Sequence, residues 1–179
     1  NWDWAAWTRA AGISRGTPWF KLTKDAWKTD AGERPVSLAA LRDGRLLVCV
    51  RCPGDGLDST KLYLADYAGR KMTPYLPGKD AGIFSPAIQP DGALLAFQRF
   101  TAPQDGVASR LELCLMNADG SDTRTVTGEG DEPAFSQDGG RLAFTRDMDV
   151  YVINVDGAGL RRLTETHAWE SGPRWALVR

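Results

Sequence analysis

Three stretches of the chain can be laid beneath one another: DGRLLVCVR (43–51), DGALLAFQR (91–99) and DGGRLAFTR (138–146). Each is an Asp-Gly pair, an apolar run and an arginine. Asp-Gly supports a tight hairpin turn, because Gly accepts positive φ and Asp tolerates it. A short strand precedes each turn: LAAL, PAIQ and PAFS. A third strand follows: KLYLADYAG (61–69), ELCLMNADG (112–120) and DVYVINVDG (149–157). A fourth comes after it: RKMTPYL, TRTVT and LRRLT. A chain built this way has little room for long helices.

A four-stranded antiparallel unit recurring at this interval is the pattern of a propeller blade. The apolar residues of the second strand nearly run together, which suits sheets buried on both faces. The expected fold is all-β, a small β-propeller with whole blades at 35–77, 83–127 and 133–164.

The stretches FSPAIQPDGALLAFQR and EPAFSQDGGRLAFTRDMDVYVINVDGAGLRRLT resemble the WD40-like repeat of TolB-type β-propellers. The match is strong over 133–164, good over 83–127 and weaker over 35–77, where LAALRDG replaces the aromatic-Ser-Pro-Asp-Gly turn. The resemblance is specific for fold and nearly silent on activity. It implies an extracytoplasmic, periplasmic bacterial protein that docks on envelope components.

The two ends carry complementary parts of the same unit. WAAWTR (4–9) lies on RLAFTR (141–146), and WFKLTKDA (19–26) lies on VYVINVDG (150–157). PRWALVR near the C-terminus is a first strand, with Pro173 and Trp175 in the places of Pro133 and Phe135. Residues 1–29 and 171–179 are therefore expected to share one composite blade, giving a single domain (1–179) of four blades. Such a closure removes an exposed sheet edge. A stretch taken from a longer propeller, or a subunit pairing with another copy, would show the same complementarity. A chain starting at Asn1 fits either a removed leader or a longer parent. All seven tryptophans (2, 4, 7, 19, 27, 169 and 175) fall in or beside the composite blade, where large apolar rings would hold the seam.

Composition narrows the functions. The net charge of −1 gives no general pull toward nucleic acid or an anionic membrane. Cys49, Cys52 and Cys114 are an odd set, and Cys49 and Cys52 on one strand would point to opposite faces. They read as packed thiols, with a redox role as the alternative. His167 is the one histidine, so no multi-histidine metal cluster can form. Turn carboxylates Asp43, Asp91, Asp119, Asp138 and Asp156 recur blade after blade, which argues for turn-making over catalysis. The EGDE stretch (129–132) reads as a solvated acidic loop. No catalytic, cofactor or metal constellation is expected.

The most distinctive polar feature is the arginine closing the second strand of each unit: Arg9, Arg51, Arg99 and Arg146. Ring symmetry would set them at matching heights, either as a cationic collar for an anion or acidic segment, or as locks between blades. Trp2 and Trp169 are least explained by the repeat and are candidate docking residues. The expected function is therefore a non-catalytic protein-binding scaffold, an accessory subunit of a larger, membrane-associated complex. The alternative is a small-ligand, ion or enzymatic site in the central channel, whose polar lining would be Gln89, Ser136 and Arg174.

Overall fold

The computed structural model describes residues 34–41, 45–52, 59–65, 72–78, 82–101, 110–166 and 168–176. These form twelve strands. The first sheet holds β1 (Arg34–Ala40), β2 (Leu46–Arg51), β3 (Thr60–Ala65) and β4 (Met72–Tyr75). The second holds β5 (Ile83–Ile88), β6 (Leu94–Thr101), β7 (Arg110–Asn117) and β8 (Arg124–Gly128). The third holds β9 (Asp131–Phe135), β10 (Arg141–Arg146), β11 (Asp149–Asn154) and β12 (Arg161–Arg162). Each sheet is an antiparallel meander in sequence order.

The Asp-Gly turns form as the residue types dictate. Gly92 and Gly139 take φ of 82° and 73°. The aspartate accepts the backbone N–H two residues on: Ala93 from Asp91 at 3.0 Å and Gly140 from Asp138 at 3.0 Å. Asp119 and Asp156 do the same at the turns after β7 and β11, receiving Ser121 and Ala158 at 2.9 and 2.8 Å. The Asp138 carboxyl also receives the Ser136 hydroxyl at 2.5 Å. That bond first, then the Gly140 N–H, holds its pKa below the usual carboxylate range.

Sheets stack face to face. Leu47, Cys49 and Leu62 of the first sheet meet Ile83, Leu95, Phe97, Cys114 and Met116 of the second. Ala96, Leu113 and Leu115 on the second sheet's other face meet Leu142, Phe144 and Ile153 of the third. The second sheet is thus buried on both faces, which explains its near-continuous apolar strands. Phe97 and Phe144 are almost wholly buried, each contributing about 1.5–3 kcal/mol by removal from water.

The inner strands β5 and β9 run side by side in the same direction. Ser85, near the start of β5, bonds Asp131 at the start of β9; Gln89, past the end of β5, bonds Gly139, past the end of β9. A third set of contacts joins β1 to β5. Parallel inner strands, meandering sheets and sheet-on-sheet packing define a β-propeller, here with three whole blades among the described residues. The N-terminal part of the composite blade (1–29) lies outside the described residues.

One register departs from the repeat read in the sequence. The first hairpin closes with Leu41 N bonded to Arg45 O, whereas the later ones close from Gln89 to Leu94 and from Ser136 to Arg141. The first turn is one residue shorter. Val50 therefore pairs with Pro35 as Arg99 pairs with Ile83, so Val50 takes Arg99's position and Arg51 lies one residue beyond. A one-residue slip exchanges the two faces. Accordingly Val48 and Val50 form a separate buried cluster with Ala65, on the face turned away from the second sheet.

Candidate functional site

Two regions collect the candidate residues. The first is the inner wall, formed by β1, β5, β9 and the segment 170–176. Ser85 and Glu132 sit at matching points of β5 and β9, each before a proline, and both have positive φ (46° and 51°). Each lies where the strand bulges against its neighbour. A non-glycine residue in that region costs on the order of 1–3 kcal/mol, so the surroundings must hold it. Ser85 Oγ donates to Asp131 Oδ1 at 2.8 Å, and the Glu132 N–H donates to the same oxygen at 2.6 Å. The Glu132 carboxylate in turn accepts a short bond from the Gly172 N–H. Asp131 and Glu132 are thus clasps between successive inner strands, not the solvated loop that EGDE was read as.

The channel's expected polar lining is largely committed elsewhere. Ser136 is buried and belongs to the turn, giving its hydroxyl to Asp138 and accepting from Arg141 N at 2.9 Å. Gln89 Nε2 donates to Gly139 O at 2.9 Å across the seam, and its Oε1 is buried without a donor. Arg174 is exposed and bonds the Pro173 carbonyl at 2.8 Å.

The second region is one end of the stack. In each meander the turn from second to third strand and the connection to the next blade lie at the same end, opposite the Asp-Gly turns. This crossover face carries Arg51, Arg99 and Arg146 near the ends of β2, β6 and β10. Arg99 pairs with Glu112 at 2.8 Å and reaches Thr125 at 3.3 Å. Its bond to Glu112 raises its pKa most, against the effect of burial. Arg146 lies 3.4 Å from Asp147 and 5.9 Å from the Tyr151 ring centre. Both arginines bind within their own blade. Arg51 is exposed, and the shorter first turn puts it on the sheet face opposite that of Arg99 and Arg146. The structure corrects the expected matching heights for that reason. Arg9 and Trp2 lie outside the described residues, as does His167.

Among the described residues, four of the five exposed large apolar side chains lie toward the same end, whereas Leu160 (46%) lies toward the other. The four are Leu111 (44%), Met148 (51%), Leu163 (48%) and Trp169 (79%). Asp147 and Met148 form the β10–β11 turn with φ of 50° and 69°, which projects Met148 outward. Met148 O accepts the Glu170 N–H at 3.0 Å, bringing Trp169 beside it. The sequence offered Trp169; Leu111, Met148 and Leu163 sit on strands and turns whose apolar residues read as core.

The connection leading to Trp169 is fixed by Asp149. Its side chain is 4% exposed and receives Arg162 at 2.6 Å, Thr164 Oγ1 at 3.2 Å and Thr166 N at 3.2 Å. Burial pushes this carboxyl's pKa up. The Thr166 N–H, the Arg162 guanidinium and the Thr164 hydroxyl together outweigh it and hold the pKa below the usual range. Cys49 and Cys114 are fully buried in the first seam, and Cys52 is half-buried. Burial raises the Cys114 pKa, against smaller lowering effects of Arg99 and Thr125. Among the described residues no group of three metal-ligating side chains converges, and no helix is long and apolar enough to cross a membrane.

Solved structures with this architecture are β-propellers. The putative TolB of Agrobacterium tumefaciens aligns with a TM-score of 0.53 at 19% identity, covering 72% of this chain and 48% of that one. A chain of a nidogen/laminin complex aligns at 0.51 and 14%, covering 74% and 49%. The β-propeller domain of the Trilobed protease from Pyrococcus furiosus aligns at 0.52 and 8%, covering 75% and 43%. The chain spans about half the length of these structures or less. No family model and no curated protein matches the sequence. The fold is that of a TolB-like β-propeller. At these identities the likeness extends to fold alone.

Proposed function

We propose that this propeller is a non-catalytic protein-binding scaffold, an accessory subunit of a larger complex of the cell envelope, acting outside the cytoplasm. One observation carries the reading: four exposed large apolar side chains, Leu111, Met148, Leu163 and Trp169, share the crossover face with Arg51, Arg99 and Arg146. Trp, Met and Arg are enriched at protein interfaces, and Trp and Arg are enriched among the residues that carry most of the binding energy. Ser85, Asp131, Glu132 and Ser136 of the inner wall are bound up in clasps and turns, which favours a rigid platform over turnover. A propeller neighbour in a two-protein complex, nidogen with laminin, supports the same use of the fold. The TolB-like fold supports the envelope setting.

The test uses the intact chain as bait in an envelope extract of its source cells, with bound protein quantified by mass spectrometry. Trp169→Ser and Leu163→Ser are expected to reduce capture of a stoichiometric partner roughly tenfold or more, as loss of an interface anchor does. Asp122→Ala, at the opposite end of the stack, is expected to leave it unchanged. A partner retained equally by all three variants overturns the assignment of this face.

A further inference from the structure

At the crossover end of the third blade, the exposed apolar side chains sit among carboxylates. Asp147 precedes Met148 in the β10–β11 turn, and its side chain is 67% exposed. Glu170 follows Trp169; its N–H binds Met148 O, and its carboxylate accepts the Thr166 hydroxyl at 3.1 Å. Glu165, two residues past Leu163, is 87% exposed. Glu129 lies exposed in the connection that enters this blade from β8.

The guanidiniums that reach this end are already engaged. Arg162 spans Asp149 at 2.6 Å and Glu165 at 3.6 Å. Arg146 stands 3.4 Å from Asp147, with the Tyr151 ring beneath it. The third blade holds no lysine, and Arg141, Arg161 and Arg174 lie farther toward the Asp-Gly turns. Outside the inner-wall clasps, five carboxylates (the four above and Asp149) thus stand against two guanidiniums. An apolar patch with this border complements a ligand that is apolar and cationic together.

We propose that the third blade's part of the crossover face receives a basic segment of a protein partner. Its apolar residues seat on Met148 and Trp169, and its lysine or arginine side chains meet Asp147, Glu165 and Glu170. The inference rests on the docking role given to this face and names the chemistry of the partner. It reverses the expectation of a cationic collar, because Arg99 and Arg146 are each paired within their own blade. Exposed ion pairs each contribute little, so the apolar anchors supply most of the affinity. The carboxylates select the partner and speed its approach. A cation laid over the Trp169 indole gains a further attraction from the ring.

The experiment measures fluorescence anisotropy with the intact chain and two labelled synthetic nonapeptides, one alternating lysine with leucine, the other glutamate with leucine. The lysine peptide is expected to bind about tenfold tighter or more than the glutamate peptide. Raising sodium chloride from about 0.05 to about 0.5 M should weaken it severalfold. Asp147→Asn combined with Glu165→Lys should weaken it about fivefold, and Trp169→Ser about tenfold, each with the urea midpoint unchanged. Asp122→Asn, at the opposite end, should leave binding as it was. Equal binding of both peptides that Trp169→Ser abolishes overturns the basic chemistry while the docking face stands. Lysine-peptide binding indifferent to Trp169→Ser and to the charge variant overturns the inference by moving the contact elsewhere, and so does failure of both peptides to bind. Light scattering that shows a dimer of the peptide-free chain, dissolved by Trp169→Ser, assigns the patch to a second copy and overturns it too.

Discussion

The two seams of the molecule are closed by different means. The seam between the first and second sheets is packed with leucines, a phenylalanine and two thiols. It is tied by Tyr75 to Ala118 O at 2.5 Å, Ile83 N to Thr60 at 3.0 Å and Cys49 to Ile83 O at 3.2 Å. The seam between the second and third sheets has a smaller apolar core and a polar border: Ser85 to Asp131, Gln89 to Gly139, and Arg124 to Val155 O at 2.6 Å. The difference follows the sequence. Where two well-matched units meet, the border residues clasp each other. Where the divergent first unit meets the second, the register slips, and a larger apolar core is tied by a different set of bonds.

The largest effects should come from the apolar cores. Phe97→Ala in the first seam and Phe144→Ala in the second are each expected to lower stability by about 3–5 kcal/mol, read from urea midpoints at unchanged slope. A loss confined to one of them would show that only one seam carries the cooperative unit.

Next come the turn glycines. A Cβ on Gly139 would lie 2.9 Å from Gln89 Nε2, whereas one on Gly92 meets nothing, and both have positive φ. Gly92→Ala is expected to cost about 1 kcal/mol from backbone conformation alone. Gly139→Ala should cost more, because it also displaces the Gln89 clasp, and Gln89→Ala should recover the excess. Equal costs would mean that the clasp adds nothing to the second seam.

The carboxylate of Asp149 gives a pH test. Its folded pKa is depressed, so its stabilisation is present above the unfolded value of about 3.9 and is lost as pH falls through the folded value. Asp149→Asn should lower Tm at pH 7, with the gap to the unsubstituted protein narrowing below pH ~4. A gap independent of pH would assign Asp149 a purely steric role. The smallest effect concerns the thiols. Cys114, buried and raised in pKa, should resist alkylation at pH 8 while the native fold holds, and Cys52 should react first. Prompt labelling of Cys114 would show that the first seam opens.

Much of the fold was legible because Asp-Gly turns and apolar strands recur, and Gly92 and Gly139 take the backbone form that Asp-Gly announces. The slip in the first unit was not legible, because aligning Asp43 with Asp91 assumes turns of equal length. The left-handed Ser85 and Glu132 were hidden too: a residue before proline reads as ordinary extended chain. Asp131 and Glu132 looked like surface charge, since their donors, Ser85 and the Gly172 N–H, are remote in sequence. Trp169 stood out because the repeat left it unexplained, whereas Met148 needed the turn geometry to be seen outside the core.

The shorter first turn has a consequence for anyone recombining these modules. A chimera assembled by superposing the Asp-Gly pairs would graft the first unit inside out, presenting Leu47 and Cys49 where a neighbour expects Val48 and Val50. Splicing at the paired residues, Ala40 with Leu46 against Ile88 with Leu95, keeps each side chain on its own side.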